Sequence, residues 1–514
     1  MCIVTPNALA TTARTPLSPH IGFGEIISSG ELTRRICAAT GTGPVAARQL
    51  ISRSKRDPGI WVLPIPLPGR GRLFALRDSV QDEAFYYEVA DLLRERRPGI
   101  ARTIRALLRH EVLLRPEAQK LLASPSLPTK SRTPTYDREI GFLVDLKFCR
   151  VDGQNTALER IVLARLAGTV ESHTSARVRR ARAIVETHLA AMLVDQLKKQ
   201  GVVSWTGGAI PHSATASITF NNHVFSAHGF SFLDSMMRRA TGMKPKPGSM
   251  LLDVLARPSD VEDVAGFIHR LSRVGGNPNA RLQLLGVLAA YDFTREAWQL
   301  AKQKGLWTIN LKQSLGDAAL SALAQTETLL RIAGLPMAPD HGAAADEFAK
   351  LASGLDALKV HPYVSDLRAL GFEAICAVLM SAGGWYEPQL GALFSADGVE
   401  RDVDVLGKRN GGRDIYLVEC KAEHEAKELE PEYVNKFFKE TVPTALKAFP
   451  DTQSCLAELW TTGRVGERAR EAFARLKVRE TICAKIVDRD EILRRIPPTL
   501  APCARLVSTI SMPA

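Results

Sequence analysis

Residues 400–422 read ERDVDVLGKRNGGRDIYLVECKA. Two alternating runs of β type, Asp402–Leu406 and Asp414–Lys421, flank Lys408–Arg413, whose Asn-Gly-Gly centre suits a hairpin turn. On the second strand Glu419 and Lys421 stand two apart and share a face, while Cys420 points to the other. The turn carries Asp404 alongside Glu419. Two carboxylates and one ammonium thus meet on one sheet face among apolar neighbours, with Asp402 a rival for the place of Asp404.

Phosphodiester hydrolysis needs such a set. Carboxylate oxygens are the hard ligands that Mg²⁺ prefers, and a metal so held activates water and neutralises charge developing on phosphoryl oxygens. A neighbouring lysine positions or helps deprotonate that water and adds positive charge. This D…ExK arrangement resembles the PD-(D/E)xK nuclease superfamily, the restriction-endonuclease-like fold shared with Holliday-junction resolvases. The resemblance implies Mg²⁺, with Mn²⁺ as an alternative, bound by Asp404, Glu419 and the backbone carbonyl of Cys420, and Lys421 acting on the nucleophile. The proline that opens the nominal motif is absent. Upstream, Leu367–Ser381 (LRALGFEAICAVLMS) stands where the family's first helix does. Glu373 on it takes the place of an additional acidic ligand, and Gly383-Gly384 lead to a strand expected from Trp385. Downstream, a helix over 432–449, a strand over 456–462, a helix over 465–476 and a strand over 481–487 complete a mixed central sheet.

A similar order of elements is expected earlier in the chain. Helix Ala183–Gln200 precedes strand Val202–Trp205, and strand Met250–Ala256 precedes helix Asp260–Leu271. Strand Leu282–Ala290, helix Thr294–Lys304 and strand Leu306–Leu311 follow. The segment from Ala290 to Ala297 is similar to the corresponding part of Mrr-like restriction enzymes. Superposition by element order puts Asp253 at the place of Glu419 and Leu255 at that of Lys421. A leucine cannot organise a catalytic water, so this copy is expected to be degenerate and to serve architecture or DNA binding. An unrelated α/β domain is the alternative.

Pro- and Ser-rich stretches at 121–135 and 334–345 read as linkers, and 242–249 as a loop. They suggest an N-terminal domain over 28–120, a degenerate restriction-endonuclease-like domain over 136–335 and a nuclease domain over 355–500. At 514 residues the chain is long enough for several cores. The expected class is multidomain α/β with mixed central sheets.

The net charge of +12 is unevenly spread. Residues 1–150 hold 23 Lys and Arg against 14 Asp and Glu, so most of the excess lies in the first third. There, helix Glu31–Thr40, a Gly-Thr-Gly-Pro turn, a basic helix Val45–Arg56 and two strands, Ile60–Ile65 and Arg72–Arg77, follow in order. Helix, turn, basic helix and hairpin resemble a winged helix-turn-helix, whose second helix enters the major groove while the wing touches phosphate. The resemblance implies double-stranded DNA as partner and Arg48, Arg53, Lys55, Arg70 and Arg72 as its contacts; a module that touches only protein is the alternative. Helical stretches over 81–97 and 102–122 follow.

Other chemistries are excluded. No phosphate-binding GxxxxGK[ST] loop and no GxSxG nucleophile elbow occur. The eight cysteines form no CxxC pair and read as reduced thiols of a cytoplasmic protein. His223 and His228 read more simply as polar surface or satisfied core side chains than as metal ligands. No apolar run reaches the length of a membrane helix. The expected function is a metal-dependent DNA endonuclease acting in restriction-type defence or in DNA repair and recombination. A homodimer and a separate ATPase or defence-system partner are compatible with it. The alternative is an inactive DNA-binding regulator or scaffold.

Overall fold

Several small sheets, some of them mixed, and many helices make this an α/β chain. The computed structural model describes residues 17–513 except 55–58, 66, 68–70, 81–82, 128–133, 154–158, 211–217, 238–245, 276–282, 336–338, 360, 478 and 480. Contacts divide the chain into two units: Met1–Leu113, Glu117–Asp152 and Arg160–Ser172 form the first, and the remainder forms the second. The linker-like stretch 121–135 falls within the first unit, and 334–345 within the second.

The first unit opens with β1 (Ile27–Ser28), α1 (Ser29–Thr40), α2 (Pro44–Arg53), β2 (Ile60–Val62) and β3 (Leu73–Leu76). Ser28 caps α1 by accepting the Glu31 N–H at 3.2 Å, and Gly41 ends it in the left-handed region at φ 68°. The strands pair antiparallel in the order β1-β3-β2. Leu32, Ile36, Ala47, Ile51, Ile60 and Phe74 close a small core beneath them.

After α3 (Glu83–Leu93) the arrangement recurs. It runs α4 (Pro98–His110), β4 (Val112–Leu114), α5 (Arg115–Leu122), α6 (Tyr136–Asp145), β5 (Cys149–Asp152) and β6 (Arg160–Leu163), with strand order β4-β6-β5. The hydrogen bonds recur too: Ser29 N–H donates to Arg72 O at 2.9 Å, and Arg115 N–H to Glu159 O at 3.1 Å. In both cases the first residue of a helix bonds to the residue just before the last strand. The helix expected over 102–122 is therefore broken: the chain turns at Glu111, φ 65°, and inserts a three-residue strand.

The second unit is entered by α7 (Val170–Lys199). It continues through β7 (Ile218–Phe220), β8 (His223–Phe225), β9 (Ala227–Ser231), β10 (Gly248–Leu255), α8 (Val261–Gly275), β11 (Leu284–Ala290), α9 (Arg295–Gln303) and β12 (Trp307–Asn310). Strands β12-β11-β10-β9 form a mixed sheet, antiparallel between β9 and β10 and parallel beyond. The strand expected at Val202–Trp205 does not form: those residues bend, and Ser204 N–H bonds to Phe230 O at 2.8 Å.

Helices α10 (Leu311–Ala333), α11 (His341–Ala357) and α12 (Val364–Ala382) lead to a second mixed sheet. Its strands are β13 (Gln389–Ala396), β14 (Val399–Arg409), β15 (Asp414–Lys421), β16 (Ser454–Thr461) and β17 (Ile482–Val487), in that order. Between β15 and β16 lie α13 (Pro431–Lys436), a π-helical turn at Phe437–Thr441 and α14 (Val442–Ala448); α15 (Glu467–Ala474) precedes β17. Helices α16 (Arg489–Arg495) and α17 (Pro502–Ile510) close the chain. Trp385 is not in a strand; its ring lies 5.4 Å from that of Tyr416 and carries the Arg409 guanidinium at 4.2 Å.

One hydrophobic core joins the two sheets of this unit. Leu252 and Val287 from one sheet and Val405, Val418 and Trp460 from the other belong to it, with the apolar lengths of α7, α10 and α12. The outer faces are covered by α8 and α9 on the first sheet and by α13 to α15 on the second. Gly407 allows β14 to approach α12 closely: a Cβ there would lie 2.8 Å from Met380 Sδ and 3.2 Å from Trp385 Cβ.

Candidate active site

Strand β15 pairs on both edges, antiparallel to β14 and parallel to β16, so its run Ile415–Val418 is buried on both faces. Polar residues appear only where the pairing changes. The β14–β15 ladder ends at Val405↔Val418, and beyond it the Cys420 N–H is released to donate to Asp404 Oδ2 at 2.6 Å. This parting of two strands places Asp404 and Glu419 together, both half-buried. Lys421 Nζ donates to Glu419 Oε1 at 2.8 Å and to Cys420 O at 3.2 Å. The Lys421 ammonium also sits 5.1 Å from the centre of the Tyr433 ring on α13.

Burial dominates the titration of these groups. Burial pushes the Asp404 carboxyl well above the usual range, and the nearby carboxylates of Glu419 and Glu373 push it further; Lys421 and the Cys420 N–H only partly offset them. Burial likewise raises Glu419 against the pull of Lys421, with Asp402 adding repulsion and Lys436 opposing it. For Lys421 burial favours the neutral amine, but the carboxylates of Glu419 and Asp404 outweigh it and hold the ammonium above its ordinary value.

The residues read from the sequence are brought together here. Asp404, Glu419 and Lys421 converge, the Cys420 carbonyl lies beside them, Asp402 acts on Glu419, and Glu373 on α12 acts on Asp404. Three participants were not foreseen. Tyr433 and Lys436 approach from α13, and His188 on α7 stands with Nε2 3.5 Å from Glu373 Oε2. Burial alone would lower the His188 pKa; the Glu373 carboxylate reverses this and raises it, with Asp366 assisting. The short helix after β15 was legible as an element. The contact of His188 was not, since it joins residues 185 apart in sequence.

Among the described residues no three His, Cys, Asp or Glu side chains are grouped as a metal site. Two carboxylates and a backbone carbonyl nonetheless lie close together around Lys421 and the Cys420 N–H. Asp404, Glu419 and the carbonyl of Cys420 fit a hard cation; Lys421 now donates to two of those groups.

The corresponding place in the first mixed sheet is built on the same register. The β9–β10 ladder ends at Ala227↔Leu252, as the β14–β15 ladder ends at Val405↔Val418. Asp253 pairs across with Leu288 as Glu419 does with Leu459. Val254 N–H donates to Ser226 Oγ at 3.0 Å, as Cys420 N–H does to Asp404. Ser226, Asp253 and Leu255 thus stand where Asp404, Glu419 and Lys421 stand in the second sheet. Here the carboxylate is neutralised internally: Arg270 of α8, fully buried, forms an ion pair with Asp253, donates to Val224 O at 2.5 Å and packs against the rings of Phe225 and Phe267. His223 is pushed down to about 4, chiefly by burial and then by Arg270.

In the first unit, α2 presents Val45, Arg48, Gln49, Ser52 and Arg53 to solvent while burying Ala47 and Ile51. Arg48 and Arg53 are exposed, and neither forms an ion pair with an acidic side chain among the described residues. Arg72 is half-buried immediately before β3, its N–H 3.4 Å from Ser29 Oγ. Lys55 and Arg70 lie outside the described residues. On α6, at the matching place in the recurring arrangement, the exposed charges are Asp137, Arg138 and Asp145, so that helix lacks the basic character of α2.

No protein-family model, no curated protein and no solved structure matches the chain. No helix among the described residues is long and apolar enough to cross a membrane.

Proposed function

We propose that the chain is a metal-dependent DNA endonuclease of the PD-(D/E)xK kind. The observation that carries this is the convergence of Asp404, Glu419 and Lys421 where β14 and β15 part, with both carboxyls raised, chiefly by burial. Asp404, Glu419 and the Cys420 carbonyl would hold Mg²⁺, or Mn²⁺ in its place. When bound, the ion would supply Lewis acidity to the scissile phosphate and to a water.

The chain's own residues do the remaining work. Lys421, held as an ammonium by two carboxylates and steadied over Tyr433, orients the attacking water and offsets charge on the phosphoryl oxygens. Lys436, exposed on α13 and close enough to act on Glu419, suits the strand's phosphate backbone. Glu373 keeps its carboxylate toward Asp404, and His188 restrains Glu373 from the other side.

The first mixed sheet is a degenerate copy of the same fold. It keeps the register and lost the aspartate and lysine, with Arg270 filling the cationic role. The first unit holds a winged helix at β1 to β3, supported by the strand order β1-β3-β2 and by the basic exposed face of α2, and a second module of like topology at β4 to β6. Arg48, Arg53 and Arg72, with Lys55 and Arg70, would contact double-stranded DNA. Restriction-type defence and repair or recombination both suit such a protein, as does a homodimer or an ATPase partner.

The test is cleavage of supercoiled and linear DNA by purified protein in Mg²⁺ or EDTA, beside Asp404→Ala and Lys421→Ala. Wild-type cleavage in Mg²⁺ alone, lost in both variants with DNA binding retained, is the expected result. DNA binding without cleavage by any form would instead favour the inactive scaffold. A change of salt slope on replacing Arg48 and Arg53 tests the DNA contact.

A further inference from the structure

Helix α9 of the first mixed sheet holds a tryptophan out of the core between two cations. It buries Ala297 and Ala301. Arg295, Trp298 and Lys302, spaced by three and then four residues, form one exposed stripe two turns long. Trp298 leaves 46% of its surface open, and Phe293 braces its ring edge to face with centroids 6.0 Å apart. Neither Arg295 nor Lys302 forms an ion pair or a side-chain hydrogen bond among the described residues, and the same holds for the exposed Lys304 and Lys312 on either side of β12.

The nearby carboxylates are engaged or turned aside. Glu296 stands two residues before Trp298, about 200° round the helix and so on its other flank. Asp292 accepts the Phe293 N–H at 2.8 Å and an Asn310 Nδ2 hydrogen at 3.0 Å. At the start of α8, Asp263 holds Arg257 at 2.7 Å, Asp260 accepts the N–H groups of Glu262 and Asp263 at 2.9 and 3.0 Å, and Glu262 is half-buried. Asp317 is exposed on α10, one residue past the kink at Gly316. Between Glu296 and Asp317 the chain holds three lysines, Lys302, Lys304 and Lys312, and no acid.

The matching helix of the second mixed sheet has no such face. Helix α9 joins β11 to β12 as α15 joins β16 to β17, both pairs parallel, and each helix follows a cap residue, Thr294 or Gly466. Counted from those caps, Glu467, Arg470 and Ala474 stand in α15 where Arg295, Trp298 and Lys302 stand in α9. The stripe thus belongs to the sheet whose carboxylate is sealed by Arg270, and nothing in the packing of α9 requires it.

The chemistry of the stripe selects its partner. A free indole face lies between two cations about 10 Å apart along the axis, at 1.5 Å per residue. An unpaired base stacks on such a face while phosphates to either side meet the cations. A duplex offers the phosphates but keeps its base faces stacked inside. A membrane surface calls for a broad apolar face, whereas Trp298 has Arg295, Gln299 and Lys302 around it.

We propose that the Arg295–Trp298–Lys302 face of α9 binds single-stranded nucleic acid, with a base on the indole and phosphates at the two cations. The assignment rests on this face alone and not on the nuclease reading. Fluorescence anisotropy of the full chain in EDTA, with a labelled oligothymidylate of about 15 nucleotides, a duplex of the same length and anionic vesicles, tests it. Trp298→Ala should weaken the oligothymidylate at least about fivefold, the low end for a base stacked on an aromatic side chain, and leave the duplex unchanged. Trp298→Phe should restore most of the loss and Trp298→Leu should not. Arg295→Gln with Lys302→Gln should reduce the slope of log affinity against log salt by about 0.7 per charge removed. All these positions are exposed, so each variant should melt with the wild type. The assignment is overturned by absence of oligothymidylate binding, by unaltered affinity in Trp298→Ala, by Trp298→Leu binding as wild type does, by an equal loss on the duplex, or by vesicle binding that alone responds to Trp298→Ala. A protein that binds the oligothymidylate as described but cuts no DNA in Mg²⁺ keeps this assignment and loses the nuclease reading; one that cuts DNA while Trp298→Ala binds as wild type does the reverse.

Discussion

The two mixed sheets of the second unit present the same stretch of backbone and treat its carboxylate in opposite ways. In both, an antiparallel ladder ends, an acidic residue follows on the central strand, and the next N–H donates to an oxygen on the neighbouring strand. In the first sheet the acid is Asp253, sealed in the interior and neutralised by Arg270. In the second it is Glu419, half-buried, beside a second carboxylate whose charge the chain does not fully offset. A buried acid matched by the chain's own cation is architecture. One left short of positive charge is available for chemistry, and it costs stability that the rest of the core must supply.

The comparison can be broken in several places. Lys421→Ala should lower DNA cleavage by about 10³-fold or more, the scale of losing a preorganised charge at a phosphoryl transition state, while circular dichroism stays unchanged. No loss in a folded protein would remove the site from the second sheet. In the first sheet, Arg270→Met should destabilise the unit by about 3–5 kcal/mol in chemical denaturation, because Asp253 is left charged and unpaired. Adding Asp253→Asn should recover part of that loss.

Asp404→Asn should act with the opposite sign. Removing a carboxylate that its surroundings disfavour, while keeping an acceptor for the Cys420 N–H, should stabilise the metal-free protein by on the order of 1 kcal/mol. The same variant should lose the rise in melting temperature that Mg²⁺ gives the wild type. If Asp404→Asn and Asp253→Asn destabilise alike, the two carboxylates do not differ as described.

The pH dependence follows from the same charges. Asp404 and Glu419 have folded-state pKa values above their unfolded ones, so at neutral pH the folded protein carries a penalty. That part of the stability is present below the ordinary carboxylate pKa and is lost as pH rises through the raised values. The metal-free protein should therefore gain stability as pH falls from neutrality toward the carboxylate range, and Asp404→Asn should flatten the gain. Thermal melts with EDTA across this window check both. The smallest effect is expected at His188: His188→Gln should reduce cleavage only several-fold, as loss of a restraint on Glu373 does, with Mg²⁺ affinity moving more than the melting temperature.

Much of this arrangement was legible in the chain. Alternation over Asp414–Lys421 and the Asn-Gly-Gly turn mark a hairpin, and element order put Asp253 at the place of Glu419; in the structure each follows the end of an antiparallel ladder on its own strand. Ser226 escaped because no strand was expected between Val202–Trp205 and Met250–Ala256, whereas β9, beyond a pair of three-residue strands, pairs with β10. The second three-stranded sheet of the first unit was hidden for a like reason. Its β4 has three residues between two helices and shows no alternation that a 3.6-residue pattern does not also satisfy.

The sequence by itself determined which side chains share a face: periods of two and of 3.6 residues are properties of local backbone geometry, so Glu419 and Lys421 could be aligned without any fold. Only the tertiary structure decided which charges are matched. Asp253 finds Arg270 on a following helix, and Glu373 finds His188 on a helix far back in the chain. Matching depends on what packing brings within a few ångströms and on how far water is excluded there, and neither is a local property of the chain.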